Sequence, residues 1–220
     1  MRFGGASLIA AQSIRRVVRT MVPAGTRNLI LSLESQARQL LGLSVPIHSE
    51  DRRILEKVIF PYFSRQNKSQ IILFVGCDFY TEHYPQLVAC AEFWTMEPDP
   101  VKTRWAANKH IENKLENLHL HAKLSYFDVI FCNGVYGWGL NDRDSCEIAF
   151  NNCFNCLRPG GSLIIGWNDI PQRRPFPLDE LHALSQFSKS HFDPLQTWRY
   201  LTDTPHRHTF DFYQKPTGDR

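Results

Sequence analysis

The stretch Ile71-Ile72-Leu73-Phe74-Val75-Gly76-Cys77 decides the fold. Its apolar residues run without a polar alternate, which is the mark of a strand buried on both faces. Gly76 then lets the backbone turn tightly where the strand ends. Three further runs of the same kind follow: Phe93-Trp94-Thr95-Met96, Phe127-Asp128-Val129-Ile130-Phe131-Cys132, and Ser162-Leu163-Ile164-Ile165-Gly166-Trp167. The last is entered through the turn Pro159-Gly160-Gly161. Helical stretches are expected between them at residues 85–91, 101–108 and 144–157. In the third, Ile148, Ala149, Asn152, Cys153 and Cys156 recur at helical spacing. Alternating strands and helices argue for a parallel sheet covered on both sides. Beyond a helix around residues 178–188, the segments 195–201 and 208–214 are rich in aromatics and Thr. Joined by Asp203-Thr204-Pro205, they read as an antiparallel hairpin at the edge of the sheet.

Composition supports one core-bearing domain with an extension. The chain has 220 residues, 43% hydrophobic and 21% charged, enough apolar matter for a full core. The net charge of +3 hides an asymmetry. Residues 1–70 hold 11 Lys+Arg against 4 Asp+Glu, and residues 71–220 hold 14 against 18, so +7 and −4 sum to +3. Residues 1–65 read as a basic helical extension and 66–220 as the main domain. Ile14, Val17, Val18, Met21 and Val22 share one helical face, with Arg15, Arg16 and Arg19 opposite. A second apolar face falls at Ile30, Leu33, Ala37, Leu40 and Leu41. A third helix starts after Ser49, buries Ile54, Leu55, Val58 and Ile59, and is expected to stop before Pro61. Such a basic helix packs on its own domain or touches an anionic membrane or an acidic protein. The first 33 residues contain no acid, a composition shared with organelle transit peptides. No apolar run approaches the roughly 20 residues a bilayer needs. Six scattered cysteines, most of them in apolar segments, point to a reduced, cytoplasmic chain. No pattern specifies an oligomeric state.

Four stretches together resemble the class I S-adenosylmethionine-dependent methyltransferases. Ile71 to Cys77 is similar to that family's first strand and glycine turn. Met96-Glu97-Pro98-Asp99-Pro100 resembles the acidic end of its second strand. Phe127 to Val135, with Asn133-Gly134, resembles its fourth strand and following loop, and Leu157-Arg158-Pro159-Gly160-Gly161-Ser162-Leu163 its turn into strand five. The likeness spans roughly residues 50–215, in matching order. It implies a Rossmann-like, mostly parallel seven-stranded sheet closed by a C-terminal antiparallel hairpin. It also implies S-adenosylmethionine as cofactor and methyl transfer as the reaction. Gly76 and Cys77 would lie beneath the donor, and Asp78 and Tyr80, with Thr81, at its amino-acid end. Glu97 and Pro98 would meet the ribose, and Asn133 and Gly134 the methyl group. Glu97 follows Gly76 by 21 residues, near the interval at which an acid meets a ribose. Asp99 reads as a helix cap ahead of Pro100. The site-bearing domain is net acidic, which favours a small-molecule acceptor over nucleic acid.

The first motif departs from the family. Only Gly76 remains of its usual glycines, and Phe79 and Tyr80 stand where bare backbone is common. The alternative is therefore a methyltransferase-like scaffold or regulatory protein that no longer binds the donor. A nicotinamide oxidoreductase fits less well, since G-x-G-x-x-G is missing. Asn113 is the loosest assignment, to adenine. Tyr136 and Trp138 are expected on an aromatic loop over the pocket. His83 is either a general base or a residue of a helical first turn. Cys153-x-x-Cys156 sits inside a helix and reads as core rather than a redox or zinc pair. His119-x-His121 and His206-x-His208 lack evident further ligands and read as solvated residues.

Overall fold

The computed structural model describes residues 49–66, 69–88 and 91–218. The two apolar faces expected before residue 42 lie outside them. The sheet is built on β1 (Ile71–Val75), which pairs in parallel with β2 (Glu92–Met96) on one side and β4 (Phe127–Asn133) on the other. β3 (Lys109–Ile111) extends it beyond β2, and β5 (Leu157–Asn168) beyond β4, again in parallel. β8 (His208–Gln214) lies antiparallel on β5, giving the order β3-β2-β1-β4-β5-β8.

The far edge differs from the expected hairpin. Two short strands, β6 (Ser188–Lys189) and β7 (Arg199–Leu201), both pair with β8, opposite Tyr213–Gln214 and Thr209–Asp211 respectively. They lie end to end along one edge, and residues 190–198 loop out between them. Among the described residues, seven strand positions are thus filled by eight strands. The excursion is tied back by Ser190 N–H to Phe212 O at 2.9 Å and Phe212 N–H to Trp198 O at 2.8 Å.

Alternate residues of the central strands face opposite layers, as the strand period of two requires. Leu73, Val75, Ile130, Cys132, Leu163 and Ile165 meet one layer. There α4 (Arg143–Cys156) packs Cys146, Ala149, Phe150, Cys153 and Cys156 inward. Both cysteines of the C-x-x-C pair are buried free thiols in this core, as their helical setting predicts. Burial pushes the Cys156 thiol up to about 11, so it stays protonated and inert. Asp142 caps α4 by accepting from the N–H groups of Asp144 and Ser145.

Ile72, Phe74, Val129, Phe131, Ile164, Phe210 and Phe212 meet the other layer. Here the connections between strands are short. The expected helix at 85–91 is only α3 (Tyr84–Leu87), and that at 101–108 is a 3₁₀ segment, Pro100–Trp105, capped by Asp99 on Val101 N–H at 2.9 Å. The chain ahead of β1 covers the gap. α1 (Glu50–Ile54), a π turn (Leu55–Ile59) and α2 (Phe60–Ser64) form one continuous helical stretch, in the same compact unit as the sheet. It runs past Pro61, where an earlier end was expected. The π turn, marked by Phe60 N–H on Leu55 O, changes the local spacing just ahead of the proline ring. Leu55, Ile59, Phe60 and Phe63 are all buried against the sheet. Phe60 is fully buried and meets Phe74, Tyr84 and Phe131 edge-on, at centroid distances of 6.2, 5.0 and 5.1 Å. Among the described residues no helix is long and apolar enough to cross a membrane.

Phe60→Ala removes the ring at the centre of this cluster. The expected loss is about 3–5 kcal/mol of stability, read from the midpoint of chemical denaturation.

Candidate functional site

Parallel sheets present ligands at the carboxyl ends of their strands, near the switch in strand order. Here the order reverses between β1 and β4, so the relevant ends carry Gly76, Glu97, Asn133 and Gly134. Gly76 adopts φ +93°, a conformation other residues avoid, and donates its N–H to Met96 O at 2.8 Å. The next N–H, that of Cys77, donates to Glu97 Oε2 at 3.1 Å. Asp99 N–H donates to Glu97 Oε1 at 3.1 Å, and the backbone of Glu97 is fixed by its own N–H on Ile111 O. The Glu97 side chain is therefore a buried carboxylate that clamps the turns after β1 and β2 together. Pro98, beside it, is exposed.

The glycine-poor loop takes the form of a turn closed by its own side chains. Asp78 N–H donates to Thr81 Oγ1, Thr81 N–H and Oγ1 both donate to Asp78 O, and Phe79 N–H donates to Asp78 Oδ1. Lys102 Nζ lies 3.1 Å from Asp78 Oδ2. Phe79 packs edge-on to Trp105, while Tyr80 lies under the Arg52 guanidinium at 4.4 Å. The Cys77 thiol is buried and pushed up to about 12, chiefly by desolvation, so it has no nucleophilic role at neutral pH. Asn113 spends its side chain on Lys114 N–H, Asn117 and His121. His83 stands just ahead of α3 without a side-chain capping bond and sets its Nε2 3.2 Å from Glu56 Oε1.

Asn133 ends β4 buried, and Gly134 follows it exposed, at φ +72°, with its N–H on Gly166 O. The Asn133 amide lies over Gly166 of β5. A Cβ at Gly166 would fall 1.8 Å from Asn133 Oδ1, so only glycine leaves room. Asn133 Oδ1 meets His208 Nε2 at 3.2 Å, and His208 Nδ1 meets Asn168 Oδ1 at 2.7 Å. Burial holds His208 neutral, with its pKa pushed down to about 4. A neutral imidazole carries one ring proton, yet both of its nitrogens face amide oxygens.

Three expectations change. Tyr136 is no lid residue. It is fully buried, its hydroxyl donates to Phe176 O, and its ring meets Trp167 and Phe176 edge-on. Trp138 is exposed, with the Arg173 guanidinium 3.3 Å above its ring. His208 is a buried part of the site rather than a solvated residue, and His206 stands half-exposed beside it. Sequence reasoning missed Asp51 and Arg52, which the helix ahead of β1 carries, and Tyr84 at the start of α3. Arg52 donates to the Tyr84 hydroxyl at 2.8 Å. A separate groove of about 370 Å³, lined by Lys57, Pro61, Arg65 and Pro194, lies away from these residues.

With this geometry in hand, solved structures place the fold. The chain is similar to a TehB-like S-adenosylmethionine-dependent methyltransferase from Corynebacterium glutamicum at TM-score 0.55 and 15% identity. That match covers 88% of this chain and 100% of that one. It is similar to the N-methyltransferase NodS from Bradyrhizobium japonicum, in complex with S-adenosyl-L-homocysteine, at TM-score 0.54 and 17% identity. Here 77% of this chain and 89% of that one are covered. No family model and no curated protein sequence matches. The protein has the fold of the class I S-adenosylmethionine-dependent methyltransferases.

Gly166→Ala forces the Asn133 amide off its seat. We expect a stability loss of roughly 1–3 kcal/mol by denaturant titration. The ring-nitrogen NMR shifts of His208 should change with it.

Proposed function

We propose that the protein transfers a methyl group from S-adenosylmethionine to a small-molecule acceptor. The observation that carries this reading is the Glu97 carboxylate. Each of its oxygens takes one backbone N–H, from Cys77 or Asp99, and a carboxylate oxygen has two lone pairs. One acceptor position is left on each oxygen. That set suits the two neighbouring hydroxyls of a ribose, in charge-assisted hydrogen bonds. The residues around it fit the donor. A Cβ at Gly76 would meet only ordinary contacts of 3.5 and 3.6 Å, so its glycine serves the turn, and Gly134 has open space before it. Gly76, Cys77 and Pro98 would flank the ribose, Asp78 and Tyr80 the amino-acid end, and Asn133 and Gly134 the methyl end.

S-adenosylmethionine, when bound, supplies a methyl group already activated on a sulfonium. What the chain contributes is orientation and exclusion of water. A fixed carboxylate and a rigid turn after β1 suit that task, because they cost no reorganisation when the ligand arrives. The acidic balance of residues 71–220 supports a small acceptor over a polyphosphate one.

Titration calorimetry of the full chain tests this. S-adenosylmethionine and S-adenosyl-L-homocysteine should both bind saturably. Glu97→Ala should weaken each by about 100-fold, or about 2.7 kcal/mol. Failure of both compounds to bind would assign the fold a scaffold or regulatory role. Saturable binding of NAD instead would point to an oxidoreductase.

A further inference from the structure

The two histidines His206 and His208 find a third partner that no local motif reveals. Asp51, on the first turn of α1, brings its carboxylate to them. One ligand atom from each of the three residues lies within 4.8 Å of the other two. Asp51 is only 5% exposed, and its Oδ1 is buried with no hydrogen-bond partner among the described residues, 3.9 Å from His206 Nε2. A buried, unsatisfied carboxylate oxygen is costly to leave unpaired. Its other oxygen lies 3.7 Å from Arg52 Nε, beyond hydrogen-bond reach.

We propose that Asp51, His206 and His208 form a three-ligand site for a divalent transition-metal ion of the zinc class. Two imidazoles and one carboxylate are a donor set such ions accept, with bonds of about 2.0–2.2 Å. A tetrahedral ion at that distance sets its ligand atoms roughly 3.4 Å apart. The three groups reach this spacing by a modest movement. His206 is placed to supply its own share, being half-exposed and making no side-chain hydrogen bond to any described residue. His208 is already supported from behind. Nε2 has the looser contact, 3.2 Å to Asn133 Oδ1, so the ion takes Nε2 while the Nδ1 N–H donates to Asn168 Oδ1 at 2.7 Å. Metal-bound histidines are typically held by such a partner, which fixes the tautomer. An ion at Nε2 requires the Asn133 amide, whose oxygen now faces that lone pair, to turn aside, and it leaves Nδ1 as the single protonated ring nitrogen. Arg52 is the opposing charge nearby, and its guanidinium is directed to the Tyr84 hydroxyl and the Tyr80 ring. Three protein ligands leave a fourth position for water or for an oxygen or nitrogen of an acceptor. The site adjoins Asn133, at the same end of the sheet as Glu97.

The test uses the full chain, stripped with a chelator and without S-adenosylmethionine, so that its outcome is separate from donor binding. Zn²⁺ is titrated in competition with a chromophoric chelator, and Co²⁺ is added in parallel for its visible spectrum. The expected result is a single tight Zn²⁺ site per chain and Co²⁺ bands of a low-coordinate site. His206→Ala and Asp51→Asn should each weaken Zn²⁺ by about 100-fold or more. His206→Ala, altering a half-exposed turn residue, should keep the thermal transition of the metal-free wild type, and only the wild type should melt higher with Zn²⁺. Absence of Zn²⁺ binding to the wild type would overturn the proposal. So would binding that His206→Ala leaves unchanged.

Discussion

The edge-on packing of Phe60 against Phe74 and Phe131 is the contact on which the arrangement of this protein turns. β1 and β4 are central strands, so both of their faces must be covered. One face receives the fourteen-residue helix α4. On the other, the described residues of the connections after β1 and β2 supply only four residues of α-helix and a 3₁₀ segment. The helical stretch ahead of β1 has to complete that layer, and its aromatic rings do so. Its direction has a second effect. The stretch ends near the start of β1, so its beginning reaches toward the opposite, carboxyl end of the sheet. Asp51 and Arg52 arrive beside Asn133, His208 and the loop after β1 for that reason.

The strands and α4 were legible because each carries a local signal. Ile71–Val75, Phe127–Asn133 and the strand through Ser162–Trp167 are continuous apolar runs, and α4 shows helical spacing with an Asp cap. What escaped was set by tertiary contact. The run from Tyr84 could not show that its helix would break at Val88, whose backbone leaves the helical region. The aromatics of 195–201 could not reveal that one edge position would be shared by two strands. Tyr136 looked like a loop aromatic because its neighbours are glycines. Its burial comes from Trp167 and Phe176, which lie far along the chain.

The site divides in the same way. The position of Glu97 at the carboxyl end of β2 was legible from the apolar strand before it. The role of its carboxylate in holding Cys77 N–H and Asp99 N–H was not, because backbone donors leave no trace in side-chain identity. This clamp also bears on the missing glycines. The turn at 77–83 is stabilised by the Asp78–Thr81 hydrogen bonds, and its larger residues are directed to Trp105 and Arg52. The histidine pair needed an acid from the other end of the domain to become a cluster, and no local spacing could announce it.

The split at the far edge of the sheet has a bearing on self-association. An unpaired strand edge invites another chain to dock its own backbone there. Here β6 has two residues and β7 three, with the 190–198 excursion between them, while β3 at the opposite edge has three. Each carries a cationic side chain, Lys189, Arg199 and Lys109. Neither border offers a long, straight row of free amide and carbonyl groups. Among the described residues, the sheet thus lacks the long borders along which copies most simply stack strand against strand.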